Sequence, residues 1–142
     1  MDNKLFKSSD KVVIYTDGGS RGNPGPAGIG VVIGDKRYFE YIGRATNNVA
    51  EYKAVVFALK KAKSLLGKEK AKKAEIEVRM DSELVKKQLS GEYRIKENDL
   101  KILFADIHNI RFDLGKVEFV HIPREKNKEA DKLANEAMDR GK

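Results

Sequence analysis

Apolar positions along this chain change their period several times, and each change marks an element. Val12-Val13-Ile14-Tyr15 is an apolar run rich in β-branched residues, so Lys11–Thr16 reads as a short buried strand. Asp17–Gly28 is crowded with glycine and carries two prolines, the composition of a turn segment. Ile29–Ile33 reads as a second strand, and Gly34-Asp35 as a hairpin turn into a third, Lys36–Ile42.

Helical spacing takes over near Asn48. Glu51, Val55, Ala58, Ala62 and Leu65 recur at three- and four-residue steps and share one face. Asn48 is the expected N-cap, with Glu51 three residues on as its capping-box partner. A lysine-rich loop, Gly67–Lys73, closes this helix, and Glu75–Met80 alternates as a fourth strand. Ser82–Leu89 reads as a short helix stopped by Ser90-Gly91. Leu100, Leu103, Phe104 and Ile107 mark another helix with one apolar face. Val117–Ile122 is a fifth strand ended by Pro123, and Lys126–Arg140 a last helix with Ala130, Leu133, Ala134 and Ala137 inward. The order βββαβααβα predicts an α/β fold: one five-stranded mixed sheet flanked by helices, with a parallel crossover between strands one and four. The whole of 1–142 is expected to be a single domain.

Composition narrows the chemistry. The chain has no cysteine, so disulfides and thiolate metal sites are excluded, while a carboxylate site for a hard cation stays open. Its net charge of +7 favours polyanions, nucleic acid first among them, although a solvated Lys/Glu surface gives the same balance. No apolar run approaches the roughly 20 residues of a membrane span. Met1–Lys11 is polar and lacks a signal-peptide core. A cytoplasmic, monomeric domain with no membrane partner is the expectation.

Four acids occupy informative positions: Asp17, Glu51, Asp81 and Asp131. Each has a structural reading, as a turn residue, a capping-box member, a helix cap and a surface partner of Lys128 respectively. Together they say more. Asp17 ends strand one and Asp81 ends strand four, so parallel neighbours would release both at one sheet edge, where α/β sheets place ligands. Glu51 lies on the inward face of its helix, and Asp131 near the inward stripe of the last one. Converging carboxylates repel one another unless a divalent cation joins them, and Mg²⁺ prefers oxygen ligands and phosphates.

Tyr15-Thr16-Asp17-Gly18-Gly19-Ser20, Thr46-Asn47-Asn48-Val49-Ala50-Glu51-Tyr52, Met80-Asp81-Ser82-Glu83 and Asn127-Lys128-Glu129-Ala130-Asp131 resemble the four motifs of type 1 ribonucleases H, in the family's order. The resemblance implies a ribonuclease H-like fold and endonucleolytic hydrolysis of the RNA strand of RNA–DNA hybrids, leaving 5′-phosphate and 3′-hydroxyl ends. It implies Asp17, Glu51, Asp81 and Asp131 as ligands for two Mg²⁺ ions, for which Mn²⁺ can substitute, with Asp131 the most loosely held. The ions would help generate the attacking hydroxide and stabilise the leaving 3′ oxygen. The same resemblance makes the backbone of Gly18, Gly19 and Ser20 the approach to the RNA strand, with Ser82 nearby. Asn23, Asn47 and Asn48 would touch the minor groove, and Thr46 a phosphate of the DNA strand.

Two departures matter. The basic, tryptophan-bearing handle of some bacterial members is absent, since only Ser90–Asp99 links Leu89 to Leu100 and the chain has no Trp. Hybrid affinity would then fall to Lys86, Lys87, Arg94 and Lys96. No hybrid-binding domain is expected before strand one. The loop before the last acid offers either His121 or Arg124 to assist the reaction, with Arg124 favoured. Two alternatives stay open: a same-fold DNA nuclease of the integrase or resolvase type, and a catalytically silent hybrid-binding module. The Gly18–Gly30 stretch holds no nucleotide-binding glycine pattern.

Overall fold

A computed structural model describes residues 11–141; the expectations about Met1–Lys11 and about what precedes strand one therefore fall almost wholly outside the described residues. Five strands, β1 (Val12–Ser20), β2 (Gly25–Ile33), β3 (Lys36–Ala45), β4 (Glu75–Met80) and β5 (Lys116–His121), form one mixed sheet in the order β3-β2-β1-β4-β5. β1 runs antiparallel to β2 and parallel to β4, as the crossover expectation requires. The helices are α1 (Asn47–Leu66), α2 (Lys68–Lys73), α3 (Glu83–Leu89), α4 (Asn98–Arg111) and α5 (Lys128–Arg140), with a 3-10 turn at Arg124–Lys126.

Alternation along β1 and β2 sorts the helices onto two faces. Ile14, Val31 and Ile33 join Val55, Ala58 and Leu59 of α1 in the main core, which Leu100 and Ile107 of α4 complete. The opposite face of β2 carries Gly28 and Gly30, and α5 lies against it. That face needs its glycines: a Cβ on Gly30 would collide with the Ala130 carbonyl. No helix is long and apolar enough to cross a membrane among the described residues.

Several expectations are corrected. Asp17–Gly28 is largely strand, because β1 continues through Gly18 and Gly19 to Ser20, paired with Ala27–Gly30. Gly18, Gly28 and Gly30 make room there for helices rather than for a turn. β3 likewise runs on to Ala45. Thr46, not Asn48, caps α1: its backbone is extended and its hydroxyl accepts from Val49 N at 3.2 Å. Lys68–Lys73 is helix rather than loop, because Gly67 (φ 82°) breaks α1 and the buried Ala71 anchors a new turn. α5 begins at Lys128, two residues late, since the 3-10 turn precedes it. The observed order of regular elements is thus βββααβααβα.

Candidate active site

The β1–β4 register sets the first two carboxylates. Tyr15 pairs with Arg79, and two residues further on both strands reach Asp17 and Asp81. Parallel strands keep that offset, so the acids emerge side by side at the carboxyl edge of the sheet. Gly18 then admits α1, since a Cβ there would strike the Ala50 carbonyl, one residue before Glu51. Gly30, opposite Asp17 on β2, admits α5 at Ala130, one residue before Asp131. Each helix delivers an acid through the same device: a glycine on a strand faces a fully buried alanine. The sequence reading assigned Gly18 to substrate approach; packing against α1 already demands it.

Asp17, Glu51 and Asp81 each offer an oxygen within 4.8 Å of the others. Burial first, then the charges of Asp81 and Glu51, push Asp17 up to about 9. Asp17 also shares a hydrogen bond with Asp131, and two carboxyls can bond only while one keeps its proton. Glu51 rises to about 8 from burial and the Asp81 charge, partly offset by a hydrogen bond from Ser82 and by the Arg124 guanidinium. The set fits a divalent cation: the donors are all oxygen, they are crowded, and of the cleft's two arginines Arg21 is paired with Asp139, which leaves Arg124 to oppose their charge. In water such a group of acids would stay ionised; here burial makes full ionisation costly until a cation shares the oxygens.

These acids open into a cleft of about 400 Å³ lined also by Gly18, Gly19, Ser20, Asn47, Asn48, Ser82 and Arg124. Asn23 and Thr46 are not among the lining residues and act on it through Asn47 and the start of α1. Asn23 Oδ1 accepts from Asn47 N at 3.0 Å, and Asn47 Oδ1 accepts from Ser20 N at 2.9 Å. Both side-chain carbonyls are thus engaged internally, which leaves the amide N–H groups for other acceptors. His121 ends the edge strand β5, exposed and outside the cleft, so of the two alternatives only Arg124 is brought to the carboxylates. No ion pair joins Asp131 to Lys128 among the described residues. Nor does Asp81 cap α3, a task that Ser82 performs by accepting from Val85 N.

Sequence reasoning assigned no role to Asn127, which is 1% exposed. Its Nδ2 donates to the Thr16 carbonyl and to Asp81 Oδ2, both at 2.9 Å. With two acceptors around one nitrogen, the amide can take only this orientation, and it holds Asp81 against the end of β1. A lone asparagine before a helix carries no signal of this; only its place in the fourth motif marked it. Arg21 and Asn135 also line the cleft without having been anticipated. Arg21 is held at its mouth by Asp139 at 2.6 Å.

The family model described as "Reverse transcriptase-like" matches residues 15–137. A bifunctional protein of Mycobacterium tuberculosis is 43% identical over 136 residues, 91% of this chain and 36% of its own length. A ribonuclease HI of Halobacterium salinarum is 42% identical over 135 residues, 91% of this chain and 65% of its own length. The chain therefore spans about a third to two thirds of these curated relatives. Among solved structures, a ribonuclease H1 isolated from compost and crystallised with an RNA/DNA hybrid is 52% identical, with a TM-score of 0.85 over 91% of this chain and 97% of that one. The Halobacterium salinarum ribonuclease H1 gives 41% identity and a TM-score of 0.81 over 92% of this chain and 98% of that one. Fold, motif spacing and relatives agree, and the chain belongs to the type 1 ribonuclease H family.

Proposed function

We propose that this chain hydrolyses the RNA strand of RNA–DNA hybrids endonucleolytically, leaving 5′-phosphate and 3′-hydroxyl ends. The observation that carries the reading is the convergence of Asp17, Glu51 and Asp81 in an open cleft, each within 4.8 Å of the others. These three hold divalent cations, Mg²⁺ by preference of oxygen donors for a hard ion, with Asp131 as the outermost ligand. Bound there, the metal supplies Lewis acidity to the phosphodiester and a nucleophile near neutral pH.

The chain's own groups do the rest. Gly18, Gly19 and Ser20 present an open backbone rim to the RNA strand, beside Ser82. Asn23, Asn47 and Asn48 turn donors towards the minor groove, where 2′-hydroxyls distinguish RNA from DNA. Thr46 contributes to the DNA-strand side. Arg124, close enough to Glu51 to lower its proton affinity, meets the scissile phosphate, and its place in the cleft lining favours it over His121. Residues 11–141 act as one catalytic domain, monomeric and cytoplasmic. The compost relative, solved with a hybrid bound, supports the substrate class.

The test is cleavage of an end-labelled RNA–DNA hybrid with Mg²⁺, with excess EDTA, and by an Asp17→Asn variant. Only the hybrid's RNA should be cut, and chelation or the substitution should abolish cutting. Cleavage of duplex DNA instead would favour the integrase-type alternative, and binding without cleavage under Mg²⁺ or Mn²⁺ the silent module.

A further inference from the structure

The chain's positive charge is not spread evenly. Between Lys60 and Lys73 stand seven lysines and one glutamate, so this segment carries six of the seven net charges. Structurally it is one corner: the end of α1, the break at Gly67, and α2. Ala71 is the buried face of α2, which leaves Lys68, Lys70, Lys72 and Lys73 exposed around it. Lys63, Ser64, Gly67, Lys68, Lys72 and Asp113 line a depression there of about 610 Å³. It lies at the opposite end of α1 from Glu51, about 20 Å away along a helix that rises 1.5 Å per residue.

We infer that this corner is an accessory binding surface for the phosphodiester backbone of nucleic acid, separate from the cleft. Like charges packed this closely repel, and few local acids relieve them: among the described residues the only ion pair here is Lys63 with Asp113 at 2.9 Å. A surface stabilised by ion-pair networks would alternate its signs; this one does not. Lys68 and Lys72 are one helical turn apart, with Cβ atoms about 6 Å apart, so their compact ammonium charges rise from one side of α2 and can reach neighbouring backbone phosphates. An anionic membrane is the weaker fit, because membrane-surface helices interleave large apolar residues with the basic ones. The exposed large hydrophobics are Phe39, Leu84, Tyr93, Ile102 and Phe112, none of them in this segment. Of the four residues expected to grip the hybrid, Arg94 and Lys96 stay exposed, while the two lysines Lys86 and Lys87 are already engaged. Lys86 is tied to Glu92 at 2.9 Å, and Lys87 lies 3.9 Å from Glu83 and over the Tyr93 ring.

The test uses the full chain carrying Lys68→Gln, Lys70→Gln, Lys72→Gln and Lys73→Gln together, with four Lys→Arg changes as the control. Anisotropy of a labelled DNA duplex, which the cleft is not proposed to cut, is followed across a salt series. We expect affinity for the duplex to fall about tenfold at low salt. The slope of log K against log salt should flatten by about 0.9 for each phosphate that is no longer neutralised. The arginine control retains both. Cleavage of a short hybrid is unchanged, while KM for a long one rises. Should the quadruple variant unfold, Lys68→Gln with Lys72→Gln alone carries the same test at half the slope change. Unchanged duplex affinity and slope overturn the proposal, and so does a loss confined to phosphatidylserine vesicles. Because the anisotropy is read in excess EDTA, where a metal-dependent cleft cuts neither hybrid nor duplex, failure of the ribonuclease reading would leave this result intact.

Discussion

Gly30 faces Asp17 across the β1–β2 ladder, and the side chain it lacks would occupy the position of the Ala130 carbonyl. That relationship fixes how near α5 can bring Asp131. Adding one methyl at Gly30 therefore displaces a helix rather than filling a gap. Gly30→Ala should cost about 1–3 kcal/mol and lower Tm by several degrees, with hybrid cleavage falling more steeply than stability. Gly18→Ala should behave alike through Ala50 and Glu51. Gly19→Ala is the control for stability alone, since a Cβ there meets Met138 at 3.6 Å and Asn47 Oδ1 at 4.0 Å, both ordinary contacts, while its backbone belongs to the proposed RNA-facing rim. Thermal melts and initial rates of all three variants decide the matter. A Gly30→Ala protein as stable and active as its parent would refute the packing account.

The cation requirement has a signature in stability. Folding raises Asp17 from 3.8 to about 9 and Glu51 from 4.5 to about 8. Below about pH 4 both groups are protonated in the folded and unfolded chains alike, and their contribution is fully present. As pH rises, the unfolded chain loses protons that the folded chain keeps, so stability drains away until about pH 9. In EDTA, Tm should fall across this window, and Asp17→Asn should flatten the fall and raise Tm at pH 8. Mg²⁺ or Mn²⁺ should raise the parent's Tm by its greatest margin at the alkaline end, where the carboxylates are easiest to ionise. Calorimetry that finds Tm level or rising between about pH 5 and 9 without metal would contradict the reading.

How far the sequence disclosed this site depends on the kind of signal each residue emits. Glu51 and Asp81 were legible because helix and strand periods placed them on an inward face and just past a strand end. Asp17 was expected to end strand one but lies within it, since β1 runs on to Ser20, and the four motifs in family order marked it. The same glycines that complete the site misled the local reading. Gly18 and Gly19 look like a turn in sequence, and only a helix laid across them shows that they belong to a strand. α2 was invisible for a related reason: one alanine among lysines has no period, and the Ala71 carbonyl is paired by Gly115 N just before β5, remote in sequence. Asn48 was the better cap by propensity, yet Thr46 won because the extended end of β3 delivers it in cap geometry.

Asn127 is the positioning residue that propensity could not reveal, and it makes a sharp pair of variants. Asn127→Ala removes both donors and leaves the buried Thr16 carbonyl unpaired, at a cost of about 1–3 kcal/mol. Asp81 then loses its tether, and Mn²⁺ affinity measured by calorimetry should weaken about 10–100-fold. Asn127→Asp keeps the shape but sets a carboxylate against Asp81, so it should destabilise the metal-free protein more than alanine does above about pH 6. A metal affinity untouched by either change would remove Asn127 from the site.

Arg124 and His121 can be separated by the same logic of placement. Arg124 lines the cleft and acts on Glu51 electrostatically, whereas His121 is exposed at the end of an edge strand. Arg124→Ala should reduce kcat by about 10–100-fold, the scale of removing one charge-assisted hydrogen bond to the reacting phosphate. Arg124→Lys should recover only part of it, because an ammonium cannot make the guanidinium's paired contacts. His121→Ala should leave kcat, KM and the pH–rate profile within about twofold of the parent, since His121 is not among the residues that line the cleft. Steady-state kinetics on a single hybrid across a pH series test all three. If His121→Ala instead abolished one limb of that profile, proton transfer would belong to the histidine, and the end of β5 that carries it would have to approach the cleft during turnover.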